Sequence, residues 1–314
     1  MTRVTAPSRL HFGLFHVPGG ADAAPARAFG GVGLMIDLPG VVVSARPADS
    51  WRFEGASASR AQVFAHRFIA GQPDPRPLHV LVERTPPEHV GLGVGTQLGL
   101  AVAKALAVEA GEPDLTAPEL ALRVGRGERS AIGVHGFDRG GLIVEPGKAP
   151  GEALSPLLTR VLLPDTWRVA VFTPNVGAHW HGGREREAFA HAGAVPRPPG
   201  LTDALCRIAL LGMLPAAVAG DLDGFGEAVF EFNRRAGEPF AESQGGAYAA
   251  PEVEAVVTAV RARGVTGVGQ SSWGPSVFAV TGSAAEAAEL VRGLAGAARG
   301  WVARPSAGHH VERE

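Results

Sequence analysis

The sequence has little of what would cross-link a chain or hold it to a polyanion. Cys206 is the single cysteine among 314 residues, so no disulfide framework exists within the chain and a reducing compartment is expected. It lies in the apolar run LCRIALLGML, where a buried packing thiol is expected. Basic and acidic residues nearly cancel, 29 against 31, for a formal net charge of -2. No basic run is long enough to form a nucleic-acid footprint, so no nucleic-acid partner is expected and any phosphate contact should be local. The start, MTRVTAPSRLHFGL, lacks the apolar region of a signal peptide, and no stretch approaches the length needed to cross a bilayer. The expectation is a cytoplasmic protein with no membrane partner.

What is present suits a chain that buries a core: 46% of residues are hydrophobic and 19% charged. The length exceeds one typical core, and the proline- and glycine-bearing stretch EPGKAPGEALSP places a boundary near Pro150 to Pro164. The expected domains are therefore residues 1–160 and 161–314. HFGLF, GVVVSA and WRFEG read as strands, as do Pro77 to Glu83. After the turn TPPEHV, the recurrence of Leu98, Val102 and Leu106 predicts a helix from about Thr96. Thr116 and Glu119 form a capping box with Pro118 in the first turn, so a second helix runs to about Gly125. The segment GRGERSAIGVHGFDRGGLIVEPG reads as a glycine-rich connection followed by a strand. In the second half, RVAVFTP reads as a strand, residues about 202 to 235 as helices, and Pro251 to Arg263 as a helix closed by Gly264. VTGVGQSSWGPSVFAV reads as a hairpin-like pair, Ser283 with Glu286 caps a further helix, and GWVARP reads as a strand. The pattern is α+β.

The sharpest chemical signal is GLGVGTQLG. A backbone that wraps an anion needs residues free to take positive φ, and N–H groups at a helix start supply donors and partial positive charge. Gly91, Gly93, Val94, Gly95, Thr96 and Gln97 are therefore the phosphate-binding candidates. No Lys-Ser/Thr pair follows the last glycine, which excludes a Walker A motif, and the spacing is not that of a dinucleotide fingerprint.

This loop, the N-terminal PSRLHFGL and the late VGQSSWGPSVFAV together resemble the three motifs of the GHMP kinase superfamily. Within it the chain is most similar to β-ribofuranosylaminobenzene 5′-phosphate synthases, through SRLHFGL, RAFGGVGLMID, GLGVGTQLGLA, GRGERSAIGVHGFDRGGLIVEPG and, more weakly, GAHWHGGREREAF. The resemblance implies the GHMP-kinase fold, with an N-terminal domain like domain 2 of ribosomal protein S5 and a C-terminal ferredoxin-like α/β domain. It also implies a pentosyltransferase that joins phosphoribosyl diphosphate to 4-aminobenzoate or 4-hydroxybenzoate. Diphosphate and carbon dioxide would leave, giving the β-ribofuranosyl 5′-phosphate of tetrahydromethanopterin biosynthesis. Phe29 and Ser306 stand where the family often has an acidic residue and an asparagine.

Loss of diphosphate builds negative charge on the leaving group, which N–H donors, cations and Mg²⁺ would stabilise. No organic cofactor is expected, and no metal ligand set is visible. Arg9 and Arg27, which the resemblance includes, and Asp138, the acid nearest the glycine segment, are the catalytic candidates. Arg126 and Arg129 could bind phosphate or carboxylate through guanidinium forks. His11, Gly30, Gly31, Arg126, His181, Glu185, Ser271 and Trp273 are the substrate-binding candidates, Trp273 by stacking on an aromatic acceptor. His309 and His310, in the tail HHVERE, are expected to be disordered or solvated.

Two other readings stay open. One is an ATP-dependent small-molecule kinase of the same fold, although the positions of its general base hold Gly133, Val134 and His135. The other is a non-catalytic homologue that binds a phosphorylated metabolite. Small molecules are the expected partners, and a homodimer is compatible with the sequence.

Overall fold

The computed structural model describes residues 1–17, 27–176, 200–244 and 246–314. Two long strands, β1 (Thr2–Leu14) and β2 (Ala28–Pro47), form the first hairpin. β3 (Arg52–Gly55) runs parallel to β4 (Leu78–Arg84), and a parallel pair needs a crossover, which α1 (Ala58–Ile69) supplies. α2 (Val94–Glu109) follows, two residues earlier than the periodicity predicts, because Gly93 takes the left-handed cap conformation at φ 69°. Its residues Gln97 to Val108 are all buried, so α2 is the central helix of this half and its alanines let neighbours approach closely.

α3 (Ala117–Val124) starts and stops where its capping signals predict: the Thr116 N–H donates to the Glu119 carboxylate at 2.8 Å, and Gly125 closes the helix at φ 66°. The next segment corrects the sequence reading. Residues expected as a loop form α4 (Ile132–Arg139), with Ile132, Val134 and Phe137 buried. Each glycine costs a helix about 1 kcal/mol relative to alanine, which is why IGVHGF reads as loop. Here Gly136 is needed, since a Cβ would overlap the Met35 side chain.

β5 (Leu142–Lys148) pairs with β2, and β6 (Thr159–Val161) pairs with β5. After β7 (Arg168–Pro174) come α5 (Leu201–Ala219), α6 (Leu222–Gly237), the short α7 (Ala241–Gln244) and α8 (Pro251–Arg261). The chain ends with β8 (Val268–Gln270), β9 (Val277–Thr281), α9 (Ala284–Gly293), β10 (Ala298–Ala303) and β11 (His310–Arg313). The second sheet has the order β10-β7-β9-β8, all antiparallel. Numbered from β7, that order is 4-1-3-2, the ferredoxin-like arrangement. β8 and β9 form the expected hairpin, and Ser283 Oγ accepts the Glu286 N–H at 3.2 Å as its capping signal predicts.

The tail departs from expectation. β11 adds to the edge of the first sheet beside β1, and the His309 ring stacks on Phe137 with centroids 4.2 Å apart. A charged sequence gives no warning of this, because the pairing partner lies at the other end of the chain. α5 departs too: it is 19 residues long with mean hydropathy 1.6, long and apolar enough to cross a bilayer. Leu205, Ala209 and Met213 are buried in the core, whereas Leu210, Leu211 and Val218 are exposed. Cys206, on the same helix, is only partly buried.

Candidate functional site

Two distant segments meet at the glycine loop. Arg9 N–H donates to the Leu92 carbonyl at 3.0 Å, and Ser276 N–H to the Val90 carbonyl at 3.1 Å. Ser271 Oγ donates to the Gly91 carbonyl at 2.7 Å and accepts the His11 N–H at 3.0 Å. Gly91 has φ 90°, and a Cβ there would overlap the Ser271 carbonyl, so glycine is required both by conformation and by close approach. The loop thus arrives at α2 held by β1 and by the β8–β9 connection. The Thr96 and Gln97 N–H groups both turn back to the Gly93 carbonyl. The helix itself offers no acceptor to the N–H groups of Val94 and Gly95, which remain donors for an anion.

Arginines collect over this helix end. The Arg9 side chain lies across Gly93 and the Arg60 guanidinium across Gly95, with Arg126 beside it. Arg126 Nη2 donates to Thr96 Oγ1 at 3.3 Å, while its buried Nε finds no partner among the described residues. Burial, with Arg60, Arg67 and Arg129 close by, lowers the Arg126 pKa, and Glu128 opposes the shift. Like charges held this close want a polyanion between them. Arg60 is steadied by Glu88 at 2.7 Å.

A cavity of about 240 Å³ opens beside the loop. Its lining includes the cations Arg9, Arg126 and Arg129, with Thr96 and Glu128. Leu14, Phe240 and Trp273 add an apolar group to the same lining. Phe240 and Trp273 meet edge to face, centroids 5.2 Å apart, and Leu14, Phe29 and Trp273 pack on the small cluster of Val17 and Phe240. His11 and Ser130 line the cavity as well. Asn233 closes it from α6, its Nδ2 donating to the carbonyls of Phe12 at 2.7 Å and Gln270 at 2.8 Å.

Several candidates are placed elsewhere. Arg27 pairs with Glu152 at 2.7 Å and donates to the Gly147 carbonyl at 2.6 Å, away from the cavity lining. Asp138 accepts the Ala117 N–H at 2.9 Å, supporting the start of α3, and does not line the cavity either. Gln97 turns into the core and donates to the Gly133 carbonyl at 2.8 Å. Gly30 and Gly31 are sheet positions: a Cβ at Gly30 would press on the Pro146 backbone, and one at Gly31 would meet the His11 ring at 3.1 Å. Ser271 lies beneath the loop, fully buried. His181 and Glu185 lie outside the described residues.

Sequence reasoning missed Arg60, Glu128, Ser130 and Glu145. Glu128 and Ser130 were within reach, inside the motif segment GERSAIG. Glu145 carried a signal of its own, an acid in the apolar strand LIVE, since such a group is rarely buried without a partner. Nothing in spacing announces Arg60, which reaches Gly95 only because α1 packs on α2.

The family model described as GHMP kinases C terminal matches residues 213–299. The chain is 32% identical over 300 residues to the beta-ribofuranosylphenol 5'-phosphate synthase of Methanothermobacter thermautotrophicus, covering 88% of each chain. It is 31% identical to the protein of the same name from Archaeoglobus fulgidus, covering 90% of this chain and 88% of that one. Among solved structures, a putative homoserine kinase from Listeria monocytogenes superposes with a TM-score of 0.72 at 18% identity, over 100% of both chains. The mevalonate kinase of Methanococcus jannaschii does so with a TM-score of 0.69 at 10% identity, over 97% of this chain and 98% of that one. These likenesses show the GHMP-kinase fold.

Proposed function

The chain belongs to the beta-ribofuranosylphenol 5'-phosphate synthase family, and on that premise we propose that it is a pentosyltransferase acting on phosphoribosyl diphosphate and a para-substituted benzoate. Diphosphate and carbon dioxide leave, and a C–C bond forms at the anomeric carbon, a step of tetrahydromethanopterin biosynthesis. The relatives are named for a phenol product, which favours 4-hydroxybenzoate as acceptor, with 4-aminobenzoate the second choice.

One observation carries the reading: arginines at a helix start and an aromatic pair line the same cavity of about 240 Å³. Departure of diphosphate concentrates negative charge where Arg9, Arg126 and the N–H groups of Val94 and Gly95 already point their donors, so little reorganisation is needed. Trp273 and Phe240 offer the planar acceptor an apolar surface, which brings its ring carbon to the sugar and excludes water from the cation left behind. A Mg²⁺ ion fits the donor set, because magnesium is usually held by one or two carboxylates and substrate phosphates, and Glu128 is the carboxylate in the lining. When bound, it would neutralise diphosphate charge.

The kinase reading has less support. Gly133, Val134 and His135 do not line the cavity, and His135 Nε2 is turned to the Ser155 carbonyl at 2.8 Å, so these positions offer the cavity no base. We read the enzyme as cytoplasmic, since its lone cysteine calls for no oxidising compartment. Incubation with phosphoribosyl diphosphate and carboxyl-labelled 4-hydroxybenzoate or 4-aminobenzoate should release labelled carbon dioxide in step with diphosphate, leaving added ATP intact. ATP consumption dependent on a hydroxyl acceptor, with no carbon dioxide, would replace this reading with the kinase.

A further inference from the structure

Behind the cavity wall three polar side chains run inward in single file. His11 Nε2 lies 3.2 Å from Ser130 Oγ, and Ser130 Oγ lies 2.6 Å from Glu145 Oε1. The other carboxylate oxygen of Glu145 accepts the Ala131 N–H at 2.8 Å. Glu145, on β5, has no exposed surface at all, while His11 and Ser130 line the cavity. His11 also sits next to the aromatic pair, because its carbonyl accepts the N–H of Ser272, the residue before Trp273, at 2.9 Å.

Along His11, Ser130 and Glu145 the hydrogen bonds can run in two directions, with Ser155 a further partner of Glu145 and the Ile132 N–H a further donor to Ser130 Oγ at 3.4 Å. A backbone N–H can only donate, so Glu145 Oε2 must accept from Ala131. If Glu145 is a carboxylate, Oε1 accepts the Ser130 hydroxyl proton, Ser130 Oγ must then accept from His11, and His11 carries its proton on Nε2. If Glu145 is protonated, every arrow reverses and the His11 proton moves to Nδ1. Burial raises the Glu145 pKa above the usual carboxylate range; hydrogen bonds with Ser130, Ala131, Ser155 and Ile132 oppose that shift without cancelling it, and the start of α4 also faces the carboxylate. Burial and the neighbouring Arg9 lower the His11 pKa, so the ring is neutral at pH 7 and holds one proton.

We propose that Glu145 is a positioning residue that acts through Ser130 to hold His11 as the Nε2–H tautomer, leaving Nδ1 as the acceptor for the para hydroxyl or amino group of the aromatic substrate. The identity of that group rests on the transferase reading; the tautomer does not. As the C–C bond forms and diphosphate leaves with the C–O electron pair, the ring draws electrons from the para group, whose proton passes to His11 Nδ1. The imidazolium is stabilised by the Ser130–Glu145 file. Carbon dioxide then departs, its bonding electrons restore the aromatic ring, and His11 returns the proton to the para oxygen or nitrogen.

The test is a change of one oxygen for an amide. In Glu145→Gln the amide oxygen must serve the Ala131 N–H, so its NH₂ faces Ser130 and donates, reversing the file. Nitrogen-15 spectra of the ligand-free enzyme labelled at histidine, with the His11 signals identified by their loss in His11→Gln, should show protonated Nε2 and bare Nδ1 in the parent. Glu145→Gln should show the opposite tautomer, with kcat down at least tenfold and the KM for phosphoribosyl diphosphate unchanged. If Glu145→Gln does not fold, Ser130→Ala interrupts the file at the cost of one hydroxyl and should leave a mixture of tautomers. A parent with protonated Nδ1, a tautomer unmoved in Glu145→Gln, or one unmoved in Ser130→Ala would overturn the proposal. A folded parent that makes no riboside, yet switches tautomer as described, would refute the transferase reading and leave the coupling standing.

Discussion

Ser271 donates its hydroxyl to the Gly91 carbonyl at 2.7 Å, across 180 residues of chain. The same oxygen accepts the His11 N–H at 3.0 Å, so one buried hydroxyl joins the glycine loop to β1. Ser271→Ala should leave a carbonyl and an N–H unpaired beneath the loop. The expected cost is about 1–3 kcal/mol of stability, with weaker binding of phosphoribosyl diphosphate. Denaturant unfolding and ligand titration check it; a variant as stable as the parent would show that water fills the gap.

Gly91 and Gly95 should respond differently to the same substitution. Gly91 has φ 90° and the Ser271 carbonyl against it, so Gly91→Ala should destabilise the fold itself. At Gly95 a Cβ meets only the far end of the Arg60 side chain, then Arg126 at 3.4 Å. Gly95→Ala should therefore keep or raise thermal stability, because alanine favours a helix by about 1 kcal/mol over glycine, while displacing a cation and weakening diphosphate binding. Equal stability losses in both variants would mean that the loop matters only as a turn.

The arginines and the aromatic pair of the cavity lining should separate in kinetics. Trp273→Ala should raise the KM for the benzoate by roughly two- to tenfold, the value of an aromatic contact of about 0.5–1.5 kcal/mol, and leave that for phosphoribosyl diphosphate near the parent's. Arg126→Gln should do the reverse. If both variants raised both constants alike, this division between them would be wrong.

Asp138 supports α3 through the Ala117 N–H at 2.9 Å and lies 3.8 Å from His309 Nδ1. Asp138→Ala should lower stability by about 0.5–2 kcal/mol, as loss of a helix-start acceptor does, and leave turnover at the parent's rate. A dead but fully stable variant would return Asp138 to the catalytic candidates.

Tyr248 is the only tyrosine, so phenolate absorbance reports it alone. Burial first, then the nearby Glu254, raises its pKa to about 12. The folded state therefore keeps a proton that the unfolded chain releases near pH 10. Stability from this group is full below pH 10 and is lost as pH rises towards 12. An alkaline titration should show a folded-state midpoint near 12 that falls to about 10 in denaturant; a folded midpoint near 10 would contradict the burial.

The sequence by itself determined what local chemistry can specify. Thr116 with Glu119, Ser283 with Glu286, the left-handed Gly125 and the β8–β9 hairpin form where their signals stand, because each is closed by groups a few residues apart. The glycine loop before α2 is legible for the same reason: N–H donors and positive φ are properties of GLGVG itself. Tertiary structure decided the rest. Gly136 becomes helical because Met35 needs its bare face; Arg60 reaches Gly95 because α1 lies on α2; and β11 finds its partner at the first residues of the chain. Arg27 and Asp138 look catalytic in sequence, yet Glu152 and the start of α3 take their charges. Glu145 stands inside an apolar strand and meets Ser130 and, through it, His11 only because β1, β5 and the segment before α4 come together. A charge acts through whatever surrounds it in space, and those neighbours come from segments that the order of residues does not place together.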